Sequence, residues 1–220
     1  MFQKSAADNS LKPTDLPRFT TPAVKQLWLR SMTDSPEAMP LPWVARFAPL
    51  IGPAGGVLDL ACGEGRHVRY LAARDHPVTA IDRNRDTLDS LKDFPGVEII
   101  VADLEGDAEW PVNDRLFAGI IVTNYLHRPL MPKIVAALAP GGVLIYQTFA
   151  VGNERYGRPR NPLFLLNPGE LLDAVAGDCQ VIAYECGMIS TPNPAVIQRI
   201  CAAKSARQTV AAEPLPLPPG

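Results

Sequence analysis

The stretch Val57–His67, VLDLACGEGRH, decides how this chain is read. An apolar run carrying one acid, Val57-Leu58-Asp59-Leu60, enters the turn Ala61-Cys62-Gly63-Glu64-Gly65. The segment RHVRYLAARD follows, with Val68, Leu71 and Ala72 at helical spacing. A buried strand, a glycine turn and a helix make the opening of a βαβ unit. In an open parallel sheet such a loop lies at the carboxyl end of a strand, where ligands bind. Glycine there permits positive φ and close approach, and the next helix presents free N–H groups. Taken alone, the loop fits a ligand cradle and a tight ligand-free turn equally well.

Outward from this point the chain alternates in type. PVTAID, VEIIVAD, FAGIIVTNY and VLIYQTFA read as four further strands. RNRDTLDSLKDF, with Leu88 and Leu91 inward, and RPLMPKIVAALAPGG, stopped by Pro140 and Gly141, read as helices between them. Strands alternating with helices predict right-handed crossovers and a parallel sheet covered on both faces. The rhythm then changes. VGNERYGRPRNPLFLLNPGE has no period and is long for a connection inside a compact domain. PGELLDAVAG predicts a short helix with Pro168 in its first turn, and CQVIAYECG and AVIQRICAAK a hairpin around MISTPNP. The stretch before the first strand, with Trp28, Trp43 and Phe47, predicts one or two helices over the site, their aromatics serving as core.

Bulk composition narrows the classes. The chain has 220 residues, of which 47% are hydrophobic, enough for one sizeable domain. A net charge of −2 gives no field that would draw nucleic acid or an anionic membrane. Cys62, Cys179, Cys186 and Cys201 form no C-x-x-C pair, which argues against a disulfide framework or a zinc site and for a reducing cytoplasm. No signal peptide is expected at the start, and no apolar run approaches membrane-helix length. Prolines crowd both ends, so residues 1–22 and 205–220 are expected as tails around a single domain at 23–204.

Two acids sharpen the ligand reading. Asp82 ends the second strand, facing the same crevice as the glycine loop, and suits the two hydroxyls of a ribose, the favoured reading; the alternative is the N-cap of the helix after it, and one residue could serve both. Asp103 ends the third strand, where it suits an adenine amino group with Leu104 against the ring; it also suits a turn closed by Gly106. Carboxylates at both ends favour an adenosine without phosphates. The dinucleotide fingerprint needs a third small residue where Val68 stands, so a nicotinamide-dependent oxidoreductase is the weaker alternative.

The series VLDLACGEGRH, VTAID, VADLEG, IIVTNYLH and LAPGGVLIYQTF, in this order, resembles the successive motifs of class I S-adenosylmethionine-dependent methyltransferases over about residues 41–204. The resemblance implies an α/β fold with a seven-stranded Rossmann-like sheet, mostly parallel, with helices on both faces and an antiparallel last strand inserted beside the fifth. It implies that Asp59, Ala61, Cys62, Gly63 and Gly65 surround the methionine moiety of S-adenosylmethionine, released as S-adenosylhomocysteine. Asp82 and Arg83 would hold the ribose side, Asp103 and Leu104 the adenine, and Asn124 the methyl end. Alanine at 61 departs from the family's usual first glycine.

The acceptor is expected to be a small molecule. Tyr125 and His127 follow the fourth strand, nearest the methyl, as candidates for orienting an acceptor and taking its proton. The prolines that mark base-amino methyltransferases are absent after Asn124, which argues against nucleic acid. Arg128, Arg155, Tyr156, Arg158 and Arg160 are the candidate grip on an anionic acceptor, the last four in the long loop. A cofactor-binding module without catalysis is the other alternative.

Overall fold

The computed structural model describes residues 39–106 and 109–205; Trp28 and all of the expected tails except Ser205 lie outside them. The chain enters through helix α1 (Pro42–Phe47) and then alternates: β1 (Val57–Leu60), α2 (Arg66–Ala72), β2 (Val78–Asp82), α3 (Arg85–Asp89), β3 (Val97–Val101) and β4 (Phe117–Thr123). There follow α4 (Met131–Ala136), β5 (Leu138–Phe149), α5 (Glu170–Val175), β6 (Cys179–Ile189) and β7 (Ala195–Lys204). The strands form one seven-stranded sheet in the order β3-β2-β1-β4-β5-β7-β6. Strands β1 to β5 pair in parallel, and β7 runs antiparallel between β5 and β6, as expected.

Every residue of β1 is buried, because β1 pairs with β2 on one side and β4 on the other and is covered on both faces. Alternate residues serve alternate faces. Leu58, Leu60, Ile120, Val122, Leu144 and Tyr146 pack with α4 and α5. Val57, Val78, Ala80, Ile121 and Ile145 pack with α1 and α2. The strand order reverses at β1 and β4, which opens the crevice at their carboxyl ends. Among the described residues no helix is long and apolar enough to cross a membrane.

The described aromatics of the stretch before β1 are core, as expected; Trp28 and the rest of that stretch up to residue 38 lie outside the described residues. Trp43 and Phe47 are buried in the core beside α2, and the Trp43 indole N–H donates to the Ile200 carbonyl at 3.2 Å. His67 Nε2 accepts from the Leu41 N–H at 3.3 Å, and burial, with Arg66 nearby, pushes its pKa down to about 3. A neutral His67 is therefore a fixed acceptor between α2 and the entry to α1. Two helices are shorter than expected: α3 stops at Asp89, and α4 follows a 3-10 turn at Arg128–Leu130. Pro168 precedes the Gly169 cap of α5 instead of occupying its first turn.

Pro140-Gly141-Gly142, expected to stop a helix ahead of a strand from Val143, lies inside β5, which already begins at Leu138. The register between β4 and β5 shifts here, and Gly141 takes φ +75° with open space beside it. At Gly142 a Cβ would stand 2.7 Å from the Phe117 carbonyl oxygen and 2.8 Å from that of Ala139, both backbone. Backbone cannot move aside as a side chain can. Gly142→Ala is therefore expected to cost on the order of 3 kcal/mol in denaturant unfolding, and Gly141→Ala about 1 kcal/mol, from left-handed strain alone.

Candidate functional site

Three consecutive strand ends build the site. After β1 the chain takes left-handed conformations at Ala61 (φ 54°), Gly63 (φ 55°) and Gly65 (φ 76°). Position 65 needs glycine twice over, since a Cβ there would also stand 2.5 Å from the buried Leu91 side chain. Ala61 carries the left-handed strain itself, roughly 1 kcal/mol, which is the physical reason glycine suits that position.

Asp82 joins β2 to this loop. The Gly63 N–H donates to Asp82 Oδ2 at 2.8 Å and the Asn84 N–H donates to Oδ1 at 2.9 Å. The N-cap of α3 is Asn84, whose side chain accepts from the Asp86 N–H, so Asp82 is free of that role. Asp103 Oδ1 accepts from the Glu105 N–H at 3.0 Å and closes the turn after β3. Ala61, Asp82, Arg83, Asp103 and Leu104 line a cleft of about 150 Å³, bounded by Glu105 and Tyr125. A second cavity of about 190 Å³ adjoins it, lined by Asn124, Thr148, Phe149, Pro159 and Phe164, and again by Glu105 and Tyr125.

Asp59 lies beneath the glycine loop, 1% exposed, and neither carboxylate oxygen has a hydrogen-bond partner. Burial raises its pKa to about 8 against the opposing pull of Arg66; the Val68 N–H leans toward it short of hydrogen-bond geometry. An ammonium placed beside it would favour its ionised form, so binding of such a group would be coupled to release of the Asp59 proton. Together with Asp82 and Asp103, with Arg83 as the cation on the cleft, it fits an amino-acid-bearing adenosine better than a diphosphate.

Around the second cavity, the Tyr146 O–H donates to the Tyr125 carbonyl at 2.9 Å, and Asn124 holds φ 53° where its N–H meets the Gln147 carbonyl. Asn124 thus lines the second cavity and not the first. The loop that follows β5 is pinned by buried polar groups. Asn153 donates to the Pro159 carbonyl and accepts from the Val196 N–H, both at 3.2 Å, and Gln198 donates to the Asn167 carbonyl at 2.6 Å.

Arg128 is a further pin. Its guanidinium pairs with both oxygens of Glu170 and donates to the Leu163 and Leu165 carbonyls at 2.9 and 2.8 Å. The expected grip on an acceptor is corrected here, because these donors are spent on the loop. Arg155, Tyr156, Arg158 and Arg160 are exposed, and the three guanidinium groups make no hydrogen bond or ion pair among the described residues. None of these four lines either cavity, though Arg158 and Arg160 flank Pro159, which lines the second. His127 is half-buried and lines neither cavity; Cys62 is buried, its thiol turned to the Gly63 carbonyl and its pKa raised by desolvation. The sequence expectation does not include Glu105, Thr148, Phe149, Pro159 or Phe164. Glu105 directly follows Asp103-Leu104 on one turn, and that adjacency is the signal for it.

Comparison with known proteins adds three findings. Residues 57–142 match the family model described as a methyltransferase domain. The trans-aconitate 2-methyltransferase of Paracidovorax citrulli is 38% identical over 100 residues, 43% of this chain and 38% of that protein. That of Azoarcus sp. is 32% identical over 129 residues, 56% of this chain and 49% of that protein. The matched region thus spans less than half the length of these curated relatives. Among solved structures, TehB from Haemophilus influenzae superposes with a TM-score of 0.58 at 22% identity, covering 74% of this chain and 61% of that one, which establishes a shared fold.

Two measurements test the geometry. Folded Asp59 holds its proton up to about pH 8, whereas the unfolded carboxyl loses it near 4. The folded state binds the extra proton in that window, so stability falls as pH rises through it, by up to about 1.4 kcal/mol per pH unit. Asp59→Asn is expected to abolish this slope in urea titrations. Asp82→Ala loses both the Gly63 tether and a charged acceptor, and is expected to weaken S-adenosylhomocysteine binding in calorimetry by about 2–4 kcal/mol while the fold survives.

Proposed function

We propose that this chain is a class I S-adenosylmethionine-dependent methyltransferase, a reading supported by its fold and by the methyltransferase-domain match at residues 57–142, and that it methylates a small acceptor bearing an anionic group. The observation that carries the proposal is the pair of cavities meeting at Glu105 and Tyr125. One has the acids and glycine loop that suit the methyl donor, and the other is large enough for a compact acceptor.

When bound, S-adenosylmethionine supplies a sulfonium methyl that is already electrophilic. The chain therefore has to align the acceptor and keep water out. In this reading Asp59 receives the donor's amino group, Ala61 and Gly63 flank its methionine part, Asp82 accepts from the ribose, and Asp103 and Leu104 face the adenine. Tyr125 forms the wall between donor and acceptor, its face suited to a sulfonium by cation–π attraction. Phe149, Phe164 and Pro159 exclude water from the acceptor side.

The anionic class is supported by Arg155, Arg158 and Arg160, whose guanidinium groups have no hydrogen bond or ion pair among the described residues, on the loop whose Pro159 lines the second cavity. It is also in keeping with relatives named for trans-aconitate, itself an anion. His127 has no part in this mechanism, since it lines neither cavity. A nicotinamide dinucleotide is disfavoured because its diphosphate would meet Asp82 and Asp103.

Calorimetric titration with S-adenosylhomocysteine beside NADH is the test, followed by transfer of labelled methyl to an acceptor panel of small acids. Micromolar binding of the nucleoside alone, with label in an acid product, is the expected outcome. Preference for NADH would overturn the donor assignment, and tight nucleoside binding without transfer to any acceptor would favour a non-catalytic module.

A further inference from the structure

Among the residues lining the two cavities, Glu105 and Tyr125 belong to both, so they stand where donor and acceptor meet. The Glu105 backbone is fixed by its N–H donating to Asp103 Oδ1, and its carboxylate makes no hydrogen bond or ion pair among the described residues. The Tyr125 hydroxyl is buried without a partner; burial first, then the charges of Glu105 and Asp103, raise its pKa. Tyr125 therefore keeps its proton and can orient an acceptor but not deprotonate it. The remaining polar side chains of the acceptor cavity, Asn124 and Thr148, are not bases at neutral pH.

We propose that Glu105 is the general base of methyl transfer, and that the nucleophile is a neutral O–H or N–H on a flat ring whose anionic group points outward to Arg155, Arg158 and Arg160. This rests on the methyltransferase function proposed above and names the acceptor of that same site. A carboxylate nucleophile needs no base and would have to lie against Glu105, a like charge beside the point of attack. A neutral O–H or N–H meets no such repulsion, and Glu105 is the group present to take its proton. Phe149, Phe164 and Pro159 give walls that suit a planar apolar ring.

In the step itself, the lone pair of the acceptor heteroatom forms its bond to the methyl carbon. The sulfur–methyl bond breaks with its electron pair going to sulfur, so the sulfonium becomes a neutral thioether. The heteroatom's proton passes to the Glu105 carboxylate, and from there to water, since Glu105 is exposed on its turn.

The test uses the full chain, methyl-labelled S-adenosylmethionine and two probes: 4-hydroxybenzoate, with a phenol and a carboxylate, and trans-aconitate, with carboxylates only. The wild type is expected to form the aryl methyl ether and no ester. Glu105→Gln is expected to lower kcat by about 100-fold or more and to erase the acidic limb of the kcat–pH profile. Glu105→Asp should restore part of the rate, and S-adenosylhomocysteine affinity should stay within about twofold in both variants, as for a group that acts on the acceptor's proton. Methyl ester from either acid, no ether from 4-hydroxybenzoate, or a Glu105→Gln variant with unchanged kcat and acidic limb overturns the proposal. Failure of the wild type to bind S-adenosylhomocysteine would instead remove the methyltransferase function itself, and the base with it.

Discussion

The site depends on one carboxylate. Asp82 receives the N–H of Gly63 with one oxygen and that of Asn84 with the other, and so ties the loop after β1 to the end of β2. It shares the anchoring of the left-handed residues at 61, 63 and 65 with the Cys62 N–H, which donates to the Ile81 carbonyl of β2 at 2.9 Å. A carboxylate holding two N–H donors retains lone pairs for further donors. Asp59 is the opposite case, buried and without a hydrogen-bond partner among the described residues, and burial raises its pKa to about 8.

A second set of polar groups holds the acceptor side. The loop after β5 looks from its length like a mobile flap, yet Asn153, Gln198 and Arg128 bind its beginning, its end and its middle. Asn153 and Gln198 are almost fully buried, and leaving either donor unmet would cost about 1–3 kcal/mol. Pro159 and Phe164 are therefore held as walls of the second cavity by the fold itself. Under the proposed function, such preorganisation would lower the entropy cost of aligning an acceptor with a donor that is already reactive.

Much of this fold was legible in the sequence because the relevant signals are local. The apolar strands, the Val68–Leu71–Ala72 spacing and the glycine turns report their own structure, and the β5–β7–β6 arrangement followed from the terminal hairpin once the family motifs had been recognised. Asp82, Asp103 and Leu104 could be placed at the cleft because strand ends in a parallel sheet share one rim. Arg128 could not. Its partners, Leu163, Leu165 and Glu170, are far along the chain, and nothing in its neighbours shows that its donors are already taken. His127 fails for a related reason: proximity in sequence to Tyr125 does not fix the direction of a side chain leaving a strand end. Trp43 and Phe47 were expected in the core and are found there, Trp43 donating to the carbonyl of Ile200, on β7.

Charge along the axis of the two cavities then limits what can bind and in which direction. Asp82, Asp103 and Glu105 make the donor end negative, and Arg155, Arg158 and Arg160 make the loop positive. Under the proposed function, a cationic sulfonium would be drawn to the first end and an anionic acceptor to the second. The acceptor's charge would then stay with the arginines, because moving it inward would bring it against Glu105, and a neutral end of the molecule would advance to the methyl. Loss of the methyl would leave a neutral thioether, so the attraction of these acids for the donor would fall once transfer was complete.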